Sequence, residues 1–197
     1  FAELVQANIS LVFAMVVVSS ILVPFTLPAL AHIFVGKEME ISFLAMSRLL
    51  GLVIFCPLIL AEILKRFAPG FTAKLSKGQY SVSLVSFVVT NLGVFSRYAP
   101  FLRDEPSTVL ISLGVSAILA AAYFVAGMLF SLRRPLPDHL SAIISFGFIN
   151  NVLVLVLSSE FFSPLEATVA AMYTIPFFGL IVPLRLYQKL AKRQGTP

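Results

Sequence analysis

Six apolar runs, each long enough to cross a bilayer as a helix, decide what this chain can fold into. They cover roughly residues 7–35, 41–64, 80–100, 107–132, 138–162 and 165–188. A helix needs about 20 predominantly apolar residues to span the hydrocarbon. Of the 197 residues, 59% are hydrophobic, 19 are Phe and only 12% are charged. A soluble domain carries roughly 25% charged residues, and here the charges gather between the runs. The expected fold is all-α: a polytopic membrane protein of about six transmembrane helices in a single transmembrane domain over residues 1–197, with a cytoplasmic tail over 189–197.

The connections are short and punctuated: Gly36-Lys37-Glu38, Pro69-Gly70 with Lys74 and Lys77, Arg103-Asp104-Glu105-Pro106, Arg133-Arg134-Pro135-Leu136-Pro137, and Ser163-Pro164. Alternate connections fall on opposite sides of the membrane, so the 14 Lys and Arg residues sort by side. One side receives Lys65, Arg66, Lys74, Lys77, Arg133, Arg134, Arg185, Lys189, Lys192 and Arg193; the other receives Lys37, Arg97 and Arg103. Arg48 lies inside a helix. Because cytoplasmic loops carry the Lys/Arg excess, both termini are expected in the cytoplasm, with the protein multi-pass in the cell membrane. The net charge of +5 is thus an orientation signal and implies no nucleic-acid partner, since the basic residues stand at membrane exits without exposed stacking aromatics between them. The lone Cys56 excludes an internal disulfide and reads as a small packing residue. His32 and His139 stand far apart with no second ligand at metal spacing, so no metal site is expected. The chain opens on Phe1 and enters an apolar run with neither a basic n-region nor a cleavage site. It does not read as a signal peptide, and we expect the polypeptide to continue upstream.

Polar residues inside the spans are the candidates for function. The first span carries Asn8 and Ser10 near its start, Ser19 and Ser20 near its centre, and Pro24 and Pro28, which favour a kink by removing backbone donors. Ser19 and Ser20 either bond back to their own helix or face a cavity. Arg48 is close enough to a helix end to snorkel or to attract an anion, and Glu62 is spaced to pair with Lys65 and Arg66. Thr90 and Asn91 are buried in the third span, where Asn bonds between helices or contacts substrate. Ser112, Ser116 and Ala120 form one small-residue face suited to close helix packing. Glu160 and Glu166 border a short outer connection and are expected in solvent. The last span holds Thr168, Tyr173, Thr174, Pro176 and Pro183; its paired prolines echo those of the first, as an internal repeat would.

The fifth span holds Ser145-Phe146-Gly147-Phe148-Ile149-Asn150-Asn151 near its middle. A side-chain amide in a bilayer core costs several kcal/mol unless partnered, so such residues face a protein interior or a wet cavity. Neighbours on a helix point about 100° apart, so two adjacent asparagines gluing helices together would need two separate partners. Gly147 is where the helix is expected to open. A helix interrupted at the midplane leaves free carbonyls on one side and free N–H groups on the other, the arrangement many secondary transporters use.

Ala7-Asn8-Ile9-Ser10-Leu11, followed by Ser19-Ser20 and then Pro24 and Pro28, resembles the fifth helix of the bile acid:sodium symporter family, which opens Gly-Asn-x-x-Leu-Ser and runs on to a Ser-Thr pair and prolines. The resemblance extends to Ser145 to Asn151, which falls where that family has Glu-x-Gly-x-Gln-Asn; Gly147 and Asn150 match. It implies that the six helices correspond to the family's fifth to tenth, within a fold of two inverted five-helix repeats whose fourth and ninth helices are broken and cross at midmembrane. The family's first four helices would then lie outside this chain, supplied by the same polypeptide or by a second protomer. Departures matter as much. Ser145 stands where the family has its sodium-binding glutamate, Ile149 replaces its glutamine, and Val12 and Val16 occupy hydroxyl positions. Oxygen donors left for an ion are Asn8, Ser145 and Asn150. Without the carboxylate, Na+ must rest on neutral dipoles alone, so sodium coupling is expected to be weak or lost; no other cofactor is implied.

The leading expectation is a secondary transporter of a small organic anion, symporter-like or uncoupled, with Asn150, Asn151, Ser145, Gly147, Ser19 and Ser20 around its substrate. Alternating access would come from one helical bundle moving against another, and the monomeric chain alone is not expected to transport. The alternative is a non-transporting membrane sensor, assembly protein or degenerate paralogue retaining the fold. An enzyme is the weakest option, since the spans hold no paired carboxylates and no nucleophile with its base.

Overall fold

The computed structural model of the chain describes residues 2–35 and 42–193. The connection Gly36-Lys37-Glu38, the side chain of Arg97 and residues 194–197 lie outside the described residues. Among the described residues a short 3-10 turn, Glu3–Val5, precedes ten helices: α1 (Ile9–Val35), α2 (Phe43–Phe67), α3 (Pro69–Lys77), α4 (Gln79–Asp104), α5 (Pro106–Ser131), α6 (Leu136–Gly147), α7 (Asn151–Phe161), α8 (Pro164–Met172), α9 (Thr174–Gly179) and α10 (Ile181–Arg193). Among the described residues five stretches are long and apolar enough to cross a membrane: α1, α2, α5, the α6–α7 pair and the α8–α10 series. A sixth is α4, when its parts Ser81–Gly93 and Tyr98–Asp104, bent by 61°, are taken as one span. The chain is thus an all-α, membrane-embedded protein.

Close approach of helices builds the body of the bundle. At Gly127 of α5 an added Cβ would lie 2.7 Å from the Ile143 backbone Cα, so only glycine lets α6 pack this tightly. The small face of α5 does the same toward α8. Ser112, Ser116 and Ala120 are buried, and Ser116 Oγ lies 2.7 Å from the Ser112 carbonyl and 2.8 Å from that of Val169. Without a hydrophobic drive between helices in lipid, such backbone proximity and hydrogen bonding hold them together. On the other side, Met46, Leu50 and Ile54 of α2 pack with Leu153 and Leu157 of α7 and with Val23 and Leu27 of α1.

One end of the bundle is a polar clasp. Asn8 caps α1 by accepting from Leu11 N–H and donates to Asp138 Oδ1 at 2.8 Å. Its carbonyl accepts from Ser141 Oγ at 3.1 Å, and its N–H donates to the Pro137 carbonyl. The buried His139 ring bridges Ser131 of α5 and the Tyr187 hydroxyl of α10, both at 2.8 Å. Gln188 Nε2 bonds the Val5 carbonyl, and Lys192 Nζ the Gln6 side chain. The starts of α1 and α6 and the end of α10 therefore meet on one side, the side expected to hold the basic excess.

Prolines act differently in the two outer spans. In the last, α8 ends at Met172 and α9 at Gly179, each four residues before a proline. These are the residues whose carbonyls Pro176 and Pro183 leave without a donor; the chain re-forms through Phe177 N–H to the Tyr173 carbonyl and Leu184 N–H to that of Leu180. In the first, α1 runs unbroken through Pro24 and Pro28, whose rings are buried.

Several local expectations are revised. The stretch read as a bare connection around Pro69-Gly70 is the helix α3, since proline at the first helical position is preorganised for the helix and has no N–H to lose. The last helix continues to Arg193, into the expected tail. Glu62 makes no ion pair with Lys65 or Arg66 among the described residues, although the spacing allows one; all three are exposed. Cys56 faces outward from α2 and is not a packing residue of the core.

Candidate functional site

The fifth span breaks at residues 148–150, one residue beyond the expected opening, and Gly147 is the last residue of α6. Gly147 serves proximity instead: a Cβ there would sit 3.3 Å from Leu180 Cδ1, and its carbonyl accepts from the Tyr173 hydroxyl at 3.0 Å. The break itself is an inverse γ-turn. Asn150 has φ −71° and ψ 79°, with Asn151 N–H donating to the Ile149 carbonyl at 2.8 Å. Asn150 Oδ1 then caps α7 by accepting from Leu153 N–H at 3.3 Å, as an N-cap asparagine does.

The two asparagines part ways, as the angle between neighbours requires. Asn151 turns inward and is 3% exposed. Its Nδ2 donates to Thr174 Oγ1 at 3.0 Å, and Thr174 Oγ1 donates to Asn91 Oδ1 at 2.9 Å. This chain ties α7 to α9 and α4, giving Asn91 the interhelical contact and leaving Asn151 Oδ1 buried without a hydrogen-bond partner. Asn150 turns outward and is exposed.

Two grooves open beside the break, one on each side of α1. The larger, about 500 Å³, has aliphatic and aromatic walls that include Phe13, Val17, Ile54 and Leu58, with Ser20 and Asn150 as its polar side chains. Two of its wall residues, Ser20 and Val53, have carbonyls deprived of their helical donor by Pro24 and Pro57, four residues on. The smaller, about 370 Å³, brings Ser19, Tyr123 and Ser145 together with Val16 and Ile149. Val16 belongs to both walls.

Of the residues singled out from sequence, Ser19 and Ser145 therefore share one groove, and Ser20 and Asn150 share the other. Gly147 and Asn151 lie at the break but point into the bundle. Asn8 is elsewhere: it bonds at the start of α6, about nine residues or 14 Å of helix from Gly147. Ser19 Oγ bonds back to the Val16 carbonyl and Ser145 Oγ to that of Ser141, whereas Ser20 makes no side-chain hydrogen bond among the described residues. Val12, at one of the positions where the resemblance implies a sodium-binding hydroxyl, packs against the core cluster of Leu140, Ile143 and Leu184. Neither groove is lined by a carboxylate.

Sequence reasoning missed Tyr123, whose ring meets Tyr173 edge-on at 6.4 Å and walls the smaller groove. The single phenol of that span was the available signal. It also missed the bridge through His139, whose partners are far apart in the chain. Comparison with protein-family models, with curated proteins and with solved structures finds no match.

Proposed function

We propose that this chain forms the core of a secondary transporter of organic anions, with the substrate at the break between α6 and α7. The observation that carries the reading is Asn150: an exposed amide at the head of a helix, in a largely apolar groove at the middle of a membrane span. An exposed amide in hydrocarbon is costly, so the groove is a place for something other than lipid tails. The apolar walls suit the body of an amphipathic substrate. The start of α7 carries the positive end of a helix dipole, and Asn150 Oδ1 occupies its Leu153 N–H as a carboxylate oxygen would. Substrate binding then exchanges one oxygen for another at the same donor. Access alternates as α1 and α2 move against the body formed by α5 to α10, and further helices, from the same polypeptide or a second protomer, close the open side.

Sodium coupling is weak in this reading. Val16 and Ile149 wall the site where oxygen donors would be needed, and Ser145 already bonds its own helix. The bonds of Ser19 and Ser145 to their own helices and of Asn151 to Thr174 favour the second reading, a membrane protein that keeps the architecture without transporting. Uptake of labelled taurocholate and of a small carboxylate into proteoliposomes of the full-length polypeptide, with and without an inward sodium gradient, separates them. Saturable uptake indifferent to sodium is expected. Sodium-accelerated uptake contradicts the uncoupled mechanism, and absence of saturable uptake for a panel of organic anions contradicts the transporter reading.

A further inference from the structure

The helix α3, between the second and third spans, has no role in the reading above. We propose that it is an interfacial anchor that lies on an anionic phospholipid leaflet. α2 has 25 residues, about 37 Å of helix against a hydrocarbon core of about 30 Å, and Lys65 and Arg66 in its last turn place that end at headgroup level. There the chain turns at Ala68, with Phe71 N–H donating to its carbonyl, and Pro69 starts α3. α3 rides on those last turns: Thr72, Leu75 and Ser76 face Leu64 and Lys65 across a groove of about 250 Å³.

Three faces of α3 follow from helical spacing. Thr72 and Ser76 lie toward α2. Phe71 and Leu75, four residues apart, form an apolar edge that is 56% and 45% exposed, and Phe67, the last residue of α2, is 79% exposed. Lys74 and Lys77 form the third face. Residues 63–79 carry Lys65, Arg66, Lys74 and Lys77 and no carboxylate, and none of these cations has an ion-pair partner among the described residues. An apolar edge flanked by unneutralised cations at headgroup height matches the chemistry of an anionic leaflet: the edge enters the acyl boundary while the lysines meet phosphates.

The chain has no Trp, so Phe71→Trp creates a unique fluorophore at an exposed site. The intact protein carrying it is reconstituted in phosphatidylcholine–phosphatidylglycerol vesicles in which either lipid is brominated at equal mole fraction. We expect blue-shifted emission and quenching by brominated phosphatidylglycerol at least about twofold stronger than by brominated phosphatidylcholine. The ratio should fall to about one when Lys74→Gln and Lys77→Gln are added, and in about 0.5 M salt. Emission typical of water, or blue-shifted emission with equal quenching by the two lipids, overturns the proposal. If the lysine variants retain the preference, the assigned cations are wrong and the proposal fails likewise.

Discussion

The first and fifth spans wall the same grooves and are built in opposite ways. Only 6% of the most apolar window of α1 is buried, against 50% for the α6–α7 pair. α6 and α7 break, yet the break is held from several sides: Asn151 through Thr174 to Asn91, and the Gly147 carbonyl by Tyr173. α1 is continuous, yet its polar ties to the body are at its base, where Asn8 meets Asp138 and Ser141. Farther up it leans on α2 and α7 through aliphatic contacts. The broken helix, tied across the bundle at its break, is thus the more firmly held wall, and the unbroken helix has fewer polar ties along its length. Whether a helix is broken or continuous is a poor guide to how firmly the bundle holds it.

That contrast can be broken from the fixed side first. Gly127→Ala forces a Cβ to within 2.7 Å of the Ile143 backbone, and we expect a loss of about 3 kcal/mol or failure to fold. The same change at Gly114, also in α5 but with nothing within 4 Å, should be neutral in thermal unfolding followed in detergent. Asn151→Leu removes the bond to Thr174 Oγ1 that ties α7 to α9 and α4 and should cost about 1–2 kcal/mol. It should also loosen the break, seen as faster hydrogen exchange at the start of α7; unchanged exchange there would show that the Asn91–Thr174–Asn151 tie holds nothing. Asn8→Ala removes the cap and the bond to Asp138. It should cost about 1 kcal/mol and increase exchange in the first turns of α1 without touching α7. Ser145→Ala deletes only a bond to its own helix, so stability should change by less than about 0.5 kcal/mol.

Much of this architecture was legible in the sequence because the bilayer simplifies the problem. Apolar length marks the spans, the small face of Ser112, Ser116 and Ala120 marks a close packing site, and two adjacent asparagines mark a break. The end of α8 at Met172 and of α9 at Gly179 was equally readable, since each precedes a proline by four residues; the prolines were read as an echo of the first span instead. α3 was hidden because Pro-Gly punctuates loops more often than it opens helices. What the sequence could not carry is direction. Asn150 and Asn151 differ in nothing but their angle around the helix, and which one faces the groove depends on where Thr174, 23 residues away, is brought by the folded chain. The Tyr123–Tyr173 contact and the His139 bridge depend on tertiary assembly in the same way.

The most direct test of the central claim is Asn150→Leu in the full-length polypeptide, reading organic-anion uptake and the unfolding temperature on one preparation. Asn150 is exposed and contributes one cap bond, so the account predicts unfolding within about 1 kcal/mol of the parent together with loss of saturable uptake. Parental uptake at parental stability would contradict it, and the break would then be an element of architecture and not a binding site.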